Sequence, residues 1–249
     1  MTPSLPHPRA LLAALLALAA MPFAAVPAAA ATSTPEPLLE RLAQAAPGLD
    51  RKVLSLATRA MTCSRRQPGT GTQPSTLSVI DFSLPSTVPR LWVFDLASHT
   101  LLFQELVAHG RNTGENLATK FSNRSGSNMS SLGVFRTAES YVGANGYSLR
   151  LDGLEPGIND LARDRAIVIH GAPYVSPEIA RAQGRLGRSL GCPAVRPAIA
   201  RELIDRIRGG SVVFAYYPDN DWLQRSQLLD GDCGTMRHAG APEAVTGGS

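Results

Sequence analysis

The chain contains, at residues 184–194, the glycine-rich stretch GRLGRSLGCPA. Three glycines and a proline within this stretch predict a tight, irregular turn, not a helix or a strand. The turn carries one cysteine, Cys192, directly after Gly191. A thiol in such a turn can act as a nucleophile, with neighbouring backbone amides facing a developing oxyanion. The alternative is that Cys192 is only a small, buried hydrophobic residue.

A histidine stands at the end of a strand predicted upstream of this turn. The apolar run at residues 166–169 predicts a buried strand, and His170 follows it directly. If the fold brings the strand end to the turn, His170 would lower the pKa of the Cys192 thiol by ion pairing and later donate a proton to a leaving group. The alternative is a core histidine that is hydrogen-bonded to backbone.

Together the two motifs resemble those of L,D-transpeptidase catalytic domains of the YkuD type. In these domains a His-Gly or His-Ser dipeptide, here His170-Gly171, precedes a Ser-His-Gly-Cys element. The stretch 184–194 is similar, residue for residue, to a run typical of the murein L,D-transpeptidase branch, and SLGVF at residues 131–135 resembles a further strand motif of the family. The resemblance covers about residues 77–217. It implies a mainly β, sandwich-like catalytic domain.

The resemblance also implies a two-step acyl transfer on peptidoglycan stem peptides, without a metal or an organic cofactor. Cys192 would form a thioester while D-alanine leaves, and His170 would act as acid and base. The Gly171 carbonyl is the candidate to orient His170, and the amides of Gly191 and Cys192 are candidates for the oxyanion site. Two alternatives remain open: hydrolysis by the same residues, as in a carboxypeptidase or amidase, and a non-catalytic wall-binding module.

The chain departs from the wider family in two ways. Leu190 stands where most members have a histidine, and the 22 positions from His170 to Cys192 are more than the common spacing. Any role of the missing histidine is therefore either absent here or supplied by another residue. His109 is the other histidine that stands at a predicted strand end before a glycine, so it is a candidate site residue, with a surface or structural histidine as the alternative.

Two arginines of the turn are candidates for substrate binding. Arginine suits two-point binding of carboxylates, and peptidoglycan stems carry free carboxylates on diaminopimelate and on the terminal D-alanine. We therefore predict roles for Arg188 and, less directly, Arg185, with Ser189 beside them. The turn lies in a polar, glycine-rich stretch at residues 171–196 that is predicted to be a long loop, and a similar long stretch lies at residues 110–132. The alternative is that both arginines pair with Asp or Glu inside the first of these loops.

Short runs rich in β-branched and aromatic residues indicate a β-rich core. One late helix is predicted from an apolar face at residues 199–207, opened by Pro197 and closed by two glycines. Helical spacing also predicts two short helices before the first strand, the second with Asp50 as its N-cap. The predicted strands lie at residues 78–82, 91–96, 101–107, 134–137, 148–151, 166–169 and 212–217.

Residues 1–31 have the pattern of a cleavable signal peptide, with Arg9, an Ala/Leu run and a small-residue stretch at its end. Two prolines interrupt the run, which argues against the alternative of a membrane anchor. We expect an N-terminal helical segment and linker at residues 32–74, the catalytic domain at 75–220, and a C-terminal extension with a disordered tail at 221–249. The mature protein is then expected to be exported to the periplasm or cell wall, with no membrane anchor.

The composition excludes several classes of protein. Of 249 residues, 44% are hydrophobic and 18% are charged, which is typical of a globular protein. The formal net charge is only +4, and the basic residues are scattered, so binding to nucleic acid is not expected. The five histidines are isolated and there is no CxxC, so no metal site is predicted.

The chain has three cysteines, an odd number for an exported protein. If Cys192 must stay reduced to act, Cys63 and Cys233 are the remaining partners for an intrachain disulfide. Such a bridge would join the N-terminal helical segment to the catalytic domain. The competing interpretation is two free cysteines.

Overall fold

The computed structural model describes residues 38–66, 73–230 and 233. The predicted signal peptide at 1–31, the linker before α1 and the predicted tail at 241–249 lie outside the described residues. The elements follow the order α1 (Leu38–Ala45), α2 (Arg51–Ser64), β1 (Thr76–Asp81), β2 (Leu91–Asp95), β3 (Thr100–Glu105), β4 (Gly133–Gly143), β5 (Gly146–Gly153), β6 (Val168–Gly171), α3 (Pro177–Gln183), β7 (Ala194–Val195), α4 (Pro197–Ile207), β8 (Val212–Tyr216) and α5 (Asn220–Arg225).

All these strands form one mixed sheet in the order β3-β2-β1-β8-β4-β5-β6-β7. β1 pairs with β8, and β6 with β7, in parallel, whereas the other neighbours are antiparallel. Ala108, just after β3, forms a bridge with Ala194 in β7, so the two edges of the sheet meet. The sheet is thereby nearly closed into a barrel. The prediction of a mainly β catalytic fold is confirmed.

The two N-terminal helices pack on this sheet and share its core. The Asp50 carboxylate accepts hydrogen bonds from the amides of Lys52 and Val53, at 2.8 and 3.0 Å, which confirms it as the N-cap of α2. Leu54 and Ala57 of α2 are fully buried in the core that also contains the strands. The division into separate segments at residues 32–74 and 75–220 stays a prediction.

The late helix predicted from its apolar face is α4, and the structure adds two short helices, α3 and α5. α3 lies inside the stretch 171–196 that reads as a loop in the sequence. Its first turn follows the usual chemistry, because Pro177 opens the helix and the Ser176 hydroxyl accepts the Ile179 amide hydrogen at 3.2 Å. Seven residues make only two turns, which is too short for a clear helical period.

Cys63 and Cys233 form a disulfide, with their Cα atoms 4.9 Å apart. This confirms the predicted pairing and excludes two free cysteines. The bridge joins α2 to the chain beyond α5, and Cys192 is the free cysteine. In the part of the chain that the structure describes, none of the helices has the length and apolarity needed to cross a membrane.

Candidate active site

His170 lies in β6, paired with Ser148 of β5 on one side and with Ala194 of β7 on the other. The side chain is only 5% exposed. Its Nδ1 lies 3.0 Å from the Gly171 carbonyl oxygen, so Nδ1–H donates to this carbonyl and Nε2 keeps its lone pair. The structure thus has the orienting contact predicted for Gly171. Burial lowers the pKa of His170, which favours the neutral imidazole.

Gly171 allows the close approach of α4 to the end of β6. A Cβ at this position would lie 2.9 Å from the Cβ of Ala200 and 3.2 Å from the Cα of Pro197. A side chain would therefore push α4 away or move the carbonyl that holds His170. The glycine is required by packing, and the carbonyl orients the imidazole.

Cys192 is 9% exposed, and its Sγ is held by the backbone that leads into β6. The thiol donates to the Ala166 carbonyl at 3.6 Å and accepts from the Val168 amide at 3.5 Å. Burial raises the pKa of the thiol. Among the described residues, no hydrogen bond joins Sγ to the His170 ring. Burial thus favours a neutral thiol as well as a neutral imidazole, which differs from the expectation of an ion pair that lowers the pKa of the thiol.

The backbone at Ala166 is in the left-handed region, with φ at +52°. This conformation is uncommon for a residue with a Cβ and tends to be found where a site requires it. Here the same residue supplies the carbonyl that accepts the Cys192 hydrogen. The unusual turn thus positions a hydrogen-bond acceptor at the thiol.

The turn before Cys192 is held by Ser189. Its hydroxyl donates to the Cys192 carbonyl at 2.6 Å and accepts the Gly191 amide hydrogen at 3.0 Å. Gly191 has φ at +130°, and a Cβ there would lie 2.8 Å from the Met129 carbonyl oxygen. The Gly191 amide, predicted for the oxyanion site, is therefore occupied by Ser189. The Cys192 amide remains as the candidate of the two.

The polar stretch at residues 110–132 supports this turn from the other side. Gly110 forms a bridge with Ser189, and the Ser130 hydroxyl donates to the Gly191 carbonyl at 2.9 Å. The same hydroxyl accepts the Gly110 amide hydrogen at 3.0 Å. The two long glycine-rich stretches of the sequence therefore meet at the turn that carries Cys192.

An open cavity of about 590 Å³ contains the site, lined by residues 144–145, 165–166, 170–174, 188–190 and Cys192. It brings together five of the predicted residues: His170, Gly171, Arg188, Ser189 and Cys192. It does not include Gly191, Arg185 or His109 in its lining. Leu190, which stands in place of the family's histidine, lies on the cavity and is 65% exposed.

Glu115 pairs with both candidate substrate-binding arginines. Its carboxylate lies 2.6 Å from Arg188 Nη1 and 3.0 Å from Arg185 Nε. Arg188 also donates to the carbonyls of Arg111 and Gly114. The structure thus realises the alternative of pairing within loops, although the acid comes from the other long stretch. Arg188 still lines the cavity, and Arg185 does not.

His109 lies outside the cavity and is 1% exposed. Its Nδ1 accepts a hydrogen bond from the buried Arg90 guanidinium at 2.7 Å, and its Nε2–H donates to the Gly114 carbonyl at 3.2 Å. Burial, together with the charge of Arg90, lowers the pKa of His109 to about 4. These contacts correspond to the structural alternative, and the structure does not place His109 among the residues that line the cavity.

The cavity also contains residues that sequence reasoning missed. Arg165 and Tyr174 line it, and Asn145 reaches it from the tip of the β4–β5 hairpin. Burial raises the pKa of Tyr174 to about 12, so the phenol is neutral. Tyr174 lies four residues after His170 in the same stretch and could have been proposed from that position. Arg165 stands in a charged segment before β6, where its sequence gives no signal of a site.

A second open cavity, of about 490 Å³, lies beside the ion pair of Glu105 and Arg196. Its lining contains no cysteine or histidine. Both oxygens of Glu105 accept from Arg196, so the pair has little capacity for a ligand. Of these two cavities, the one at Cys192 contains both a cysteine and a histidine and is therefore the candidate active site.

One protein family matches the greater part of the chain. The family model of the L,D-transpeptidase catalytic domain (YkuD_2) matches residues 45–216, which begins earlier than the sequence resemblance and includes α2. No sequence among the curated proteins matches the chain. Among solved structures, the chain is similar to an L,D-transpeptidase from Mycobacterium smegmatis (15% identity, TM-score 0.36, covering 57% of this chain and 59% of that one).

Two further solved structures are similar at the same level. They are the helical cell shape determining protein Pgp2 from Campylobacter jejuni (12% identity, TM-score 0.40, 58% of this chain and 48% of that one) and an Enterococcus faecium L,D-transpeptidase (14% identity, TM-score 0.35, 57% and 50%). The matches thus span about half of each of those chains. Because the family model covers well over half of the present sequence, the chain belongs to the L,D-transpeptidase catalytic domain family.

Proposed function

We propose that the protein is a cysteine acyltransferase that acts on peptidoglycan stem peptides. The observation that carries the proposal is the shared cavity of Cys192 and His170, in which the Gly171 carbonyl fixes the imidazole with Nε2 unprotonated. A thiol nucleophile, an oriented base and an open cavity together are what acyl transfer requires. Membership of the family supports the peptidoglycan substrate.

The first half-reaction forms a thioester. The thiol hydrogen leaves the Ala166 carbonyl and passes to Nε2 of His170, and Sγ attacks the carbonyl carbon at the L-centre of diaminopimelate in a tetrapeptide stem. The Cys192 amide is the candidate to donate to the oxyanion that develops on the former carbonyl. The bond to D-alanine then breaks, and His170 gives its proton to the leaving amine.

The second half-reaction transfers the acyl group to an amine. His170, neutral again, removes a proton from the amine of a second stem, and this amine attacks the thioester carbonyl. The products are a cross-linked pair of stems and the free Cys192 thiol. If water takes the place of the amine, the same residues perform hydrolysis, which is the second candidate activity.

Two features support a location outside the cytoplasm. Residues 1–31 have the pattern of a signal peptide. The disulfide between Cys63 and Cys233 is of a kind that persists in oxidising compartments. We propose that the mature protein works in the periplasm or the cell wall.

Purified disaccharide-tetrapeptides test the proposal. Wild-type protein should release D-alanine and produce cross-linked muropeptide dimers. Intact mass should reveal an acyl adduct on the protein that is absent from the Cys192→Ala variant. Release of D-alanine without dimers would assign a hydrolase. If the protein forms no adduct with either the stem peptide or a carbapenem, it is a wall-binding module and the proposal fails.

A further inference from the structure

Arg165 is held rigidly beside the nucleophile by neutral groups only. It lies immediately before Ala166, in the segment that leads into β6. The donors are its two terminal nitrogens, each of which makes two hydrogen bonds. Nη1 donates to the Ser122 carbonyl (2.6 Å) and the Ser131 hydroxyl (2.5 Å), and Nη2 to the Met129 carbonyl (2.6 Å) and the Ser127 hydroxyl (3.2 Å).

These four bonds use the four hydrogens on the terminal nitrogens of the guanidinium. They leave no two-point face for a substrate carboxylate. At the same time, Arg165 forms no ion pair within the described residues, so its charge is not compensated. The structure therefore has a fixed positive charge at this point, and not a free arm that could bind an anion.

The charge is close to Cys192. Arg165 lines the same cavity, and the next residue, Ala166, accepts the hydrogen bond from Sγ. Nη2 lies 3.5 Å from the position that a Cβ on Gly191 would take, next to the nucleophile in the chain. Burial has the largest effect on the pKa of Cys192 and raises it, whereas the Val168 amide and the charge of Arg165 lower it.

The other titratable groups of the cavity do not supply this charge at rest. His170 is neutral, because burial lowers its pKa, and Tyr174 is neutral because burial raises its pKa. Arg188 is paired with Glu115. Of the ionisable residues that line the cavity at Cys192, Arg165 is thus the one that combines a positive charge with no acidic partner among the described residues.

We propose that Arg165 is a positioning residue that stabilises the thiolate of Cys192 by its fixed charge. This inference rests on the proposed function, in which His170 Nε2 takes the thiol proton and leaves a negative charge on Sγ. The charge of Arg165 favours the thiolate at that moment and makes the proton transfer from a buried thiol less costly. The serines of residues 122–131 serve to hold the guanidinium in place.

The test measures the rate of Cys192 alkylation by iodoacetamide against pH, without reductant, so that Cys63 and Cys233 stay bridged. In Arg165→Gln the curve of alkylation rate against pH should move to higher pH by about one unit. The rate at pH 8 should fall about three- to tenfold. The fall can be less than tenfold because a thiolate of higher pKa is also the better nucleophile. Arg165→Lys keeps the charge and should stay near wild type. The matched control is Arg163→Gln, two residues away, which is outside the cavity and paired with Asp152 and Glu139.

Circular dichroism and thermal unfolding establish that each variant is folded. The proposal would be overturned if wild type and Arg165→Gln gave equal curves. It would also be overturned if Arg165→Gln and Arg165→Lys shifted the curve equally, because the shift would then not depend on the positive charge. If Arg165→Gln does not fold, Arg165→Lys decides: a shift of a full unit overturns the proposal. Alkylation needs no stem peptide, so failure of the proposed acyl transfer would be seen separately. In that case the alkylation rate of Cys192 would depend on Arg165, but Cys192 would form no adduct with muropeptides.

Discussion

Burial shifts the pKa values of Cys192 and His170 in opposite directions. It disfavours the thiolate of Cys192 and the imidazolium of His170, so the uncharged pair is the stable resting state. A buried, neutral thiol is protected from adventitious oxidation and alkylation. In the proposed mechanism, reactivity then depends on a substrate that moves the thiol hydrogen from Ala166 to His170.

This effect of burial predicts how Cys192 reacts in the protein without substrate. Alkylation by iodoacetamide should be slow at pH 6 and should rise with pH up to and beyond pH 9, because the pKa of the buried thiol lies above its ordinary value. Rates measured by intact mass over this pH range check the prediction. Fast alkylation that is already constant at mildly acidic pH would indicate an ion pair and contradict it.

His170→Ala separates the base from the nucleophile. Since no hydrogen bond joins His170 to the resting thiol among the described residues, the variant should be alkylated at pH 8 at nearly the wild-type rate. Acylation by a tetrapeptide stem should fall by about 10²- to 10⁴-fold, the usual contribution of a general base. If His170→Ala were acylated at the wild-type rate, His170 would have no part in the reaction. Cys192→Ala is the negative control, since it should not be acylated.

Arg188 and Arg185 form a matched pair for a test of substrate binding. Both contact Glu115, but only Arg188 lines the cavity. Arg188→Lys should lower kcat/KM on a stem peptide by about tenfold, because an ammonium group cannot reproduce the planar contacts of a guanidinium. Arg185→Lys should change kcat/KM by less than about twofold, because a surface ion pair contributes little. Equal effects of the two substitutions would assign both arginines to loop structure.

Sequence predicts the placement of residues well where a motif carries them: His170 and Cys192 line one cavity, and the Gly171 carbonyl contacts His170. The roles of these residues stay predictions. Sequence does not reveal the environment of a side chain: His109 has the same strand-end position as His170, but a buried Arg90 occupies its Nδ1. Arg165 was missed because a cation before a strand looks like a solvated charge until its four partners are known.

At the scale of elements, the strands were predicted wherever a run of β-branched and aromatic residues was long enough. β1, β2, β3 and β8 begin within two residues of their predicted starts. β7 was missed because it has only two residues, and its pairing with β6 depends on a distant part of the chain. β6 begins at Val168, two residues later than predicted, because the left-handed backbone at Ala166 delays the strand.

His109 ties the loop after β3 to the body of the sheet, and its titration should be visible in stability. The pKa of His109 is about 4 when folded and near its ordinary 6.5 when unfolded. Between these values the unfolded chain binds more protons, so this contribution to stability is complete above pH 6.5 and is lost as pH falls towards 4. The loss amounts to at most about 3 kcal/mol.

Denaturant unfolding at pH 7 and pH 5 measures this effect. Wild type should lose more stability between the two pH values than His109→Asn, which retains an acceptor for Arg90 and cannot be protonated. Comparison with the variant is needed because the pKa values of the buried carboxyls of Asp81 and Glu155 are raised, which acts in the opposite sense. The same pH dependence in both proteins would show that His109 does not titrate on unfolding.

At the scale of the whole molecule, the site lies where the sheet closes on itself. The bridge between Ala108 and Ala194 joins the two edges of the sheet, and Cys192 lies two residues before that bridge. Gly110 and Ser189 continue the contact between the same two segments. The pairing of β6 with β7 places the turn at Cys192 beside His170, and closure of the sheet brings the segment at Gly110 to the same turn. Residues far apart in sequence therefore depend on the complete fold for their geometry.

The disulfide should stabilise this closed fold strongly, because it links residues that are 170 positions apart. In the chain-entropy model, closing a loop of this length raises the free energy of the unfolded state by about 5 kcal/mol. The double variant Cys63→Ser, Cys233→Ser should therefore have a free energy of unfolding lower by up to this amount, measured by denaturant titration. Neither cysteine lines the cavity, so the folded variant should still form the carbapenem adduct at Cys192. A loss of stability below about 1 kcal/mol would mean that the unfolded chain is not restricted by the bridge, and that packing of α2 on the sheet alone holds the helical segment in place.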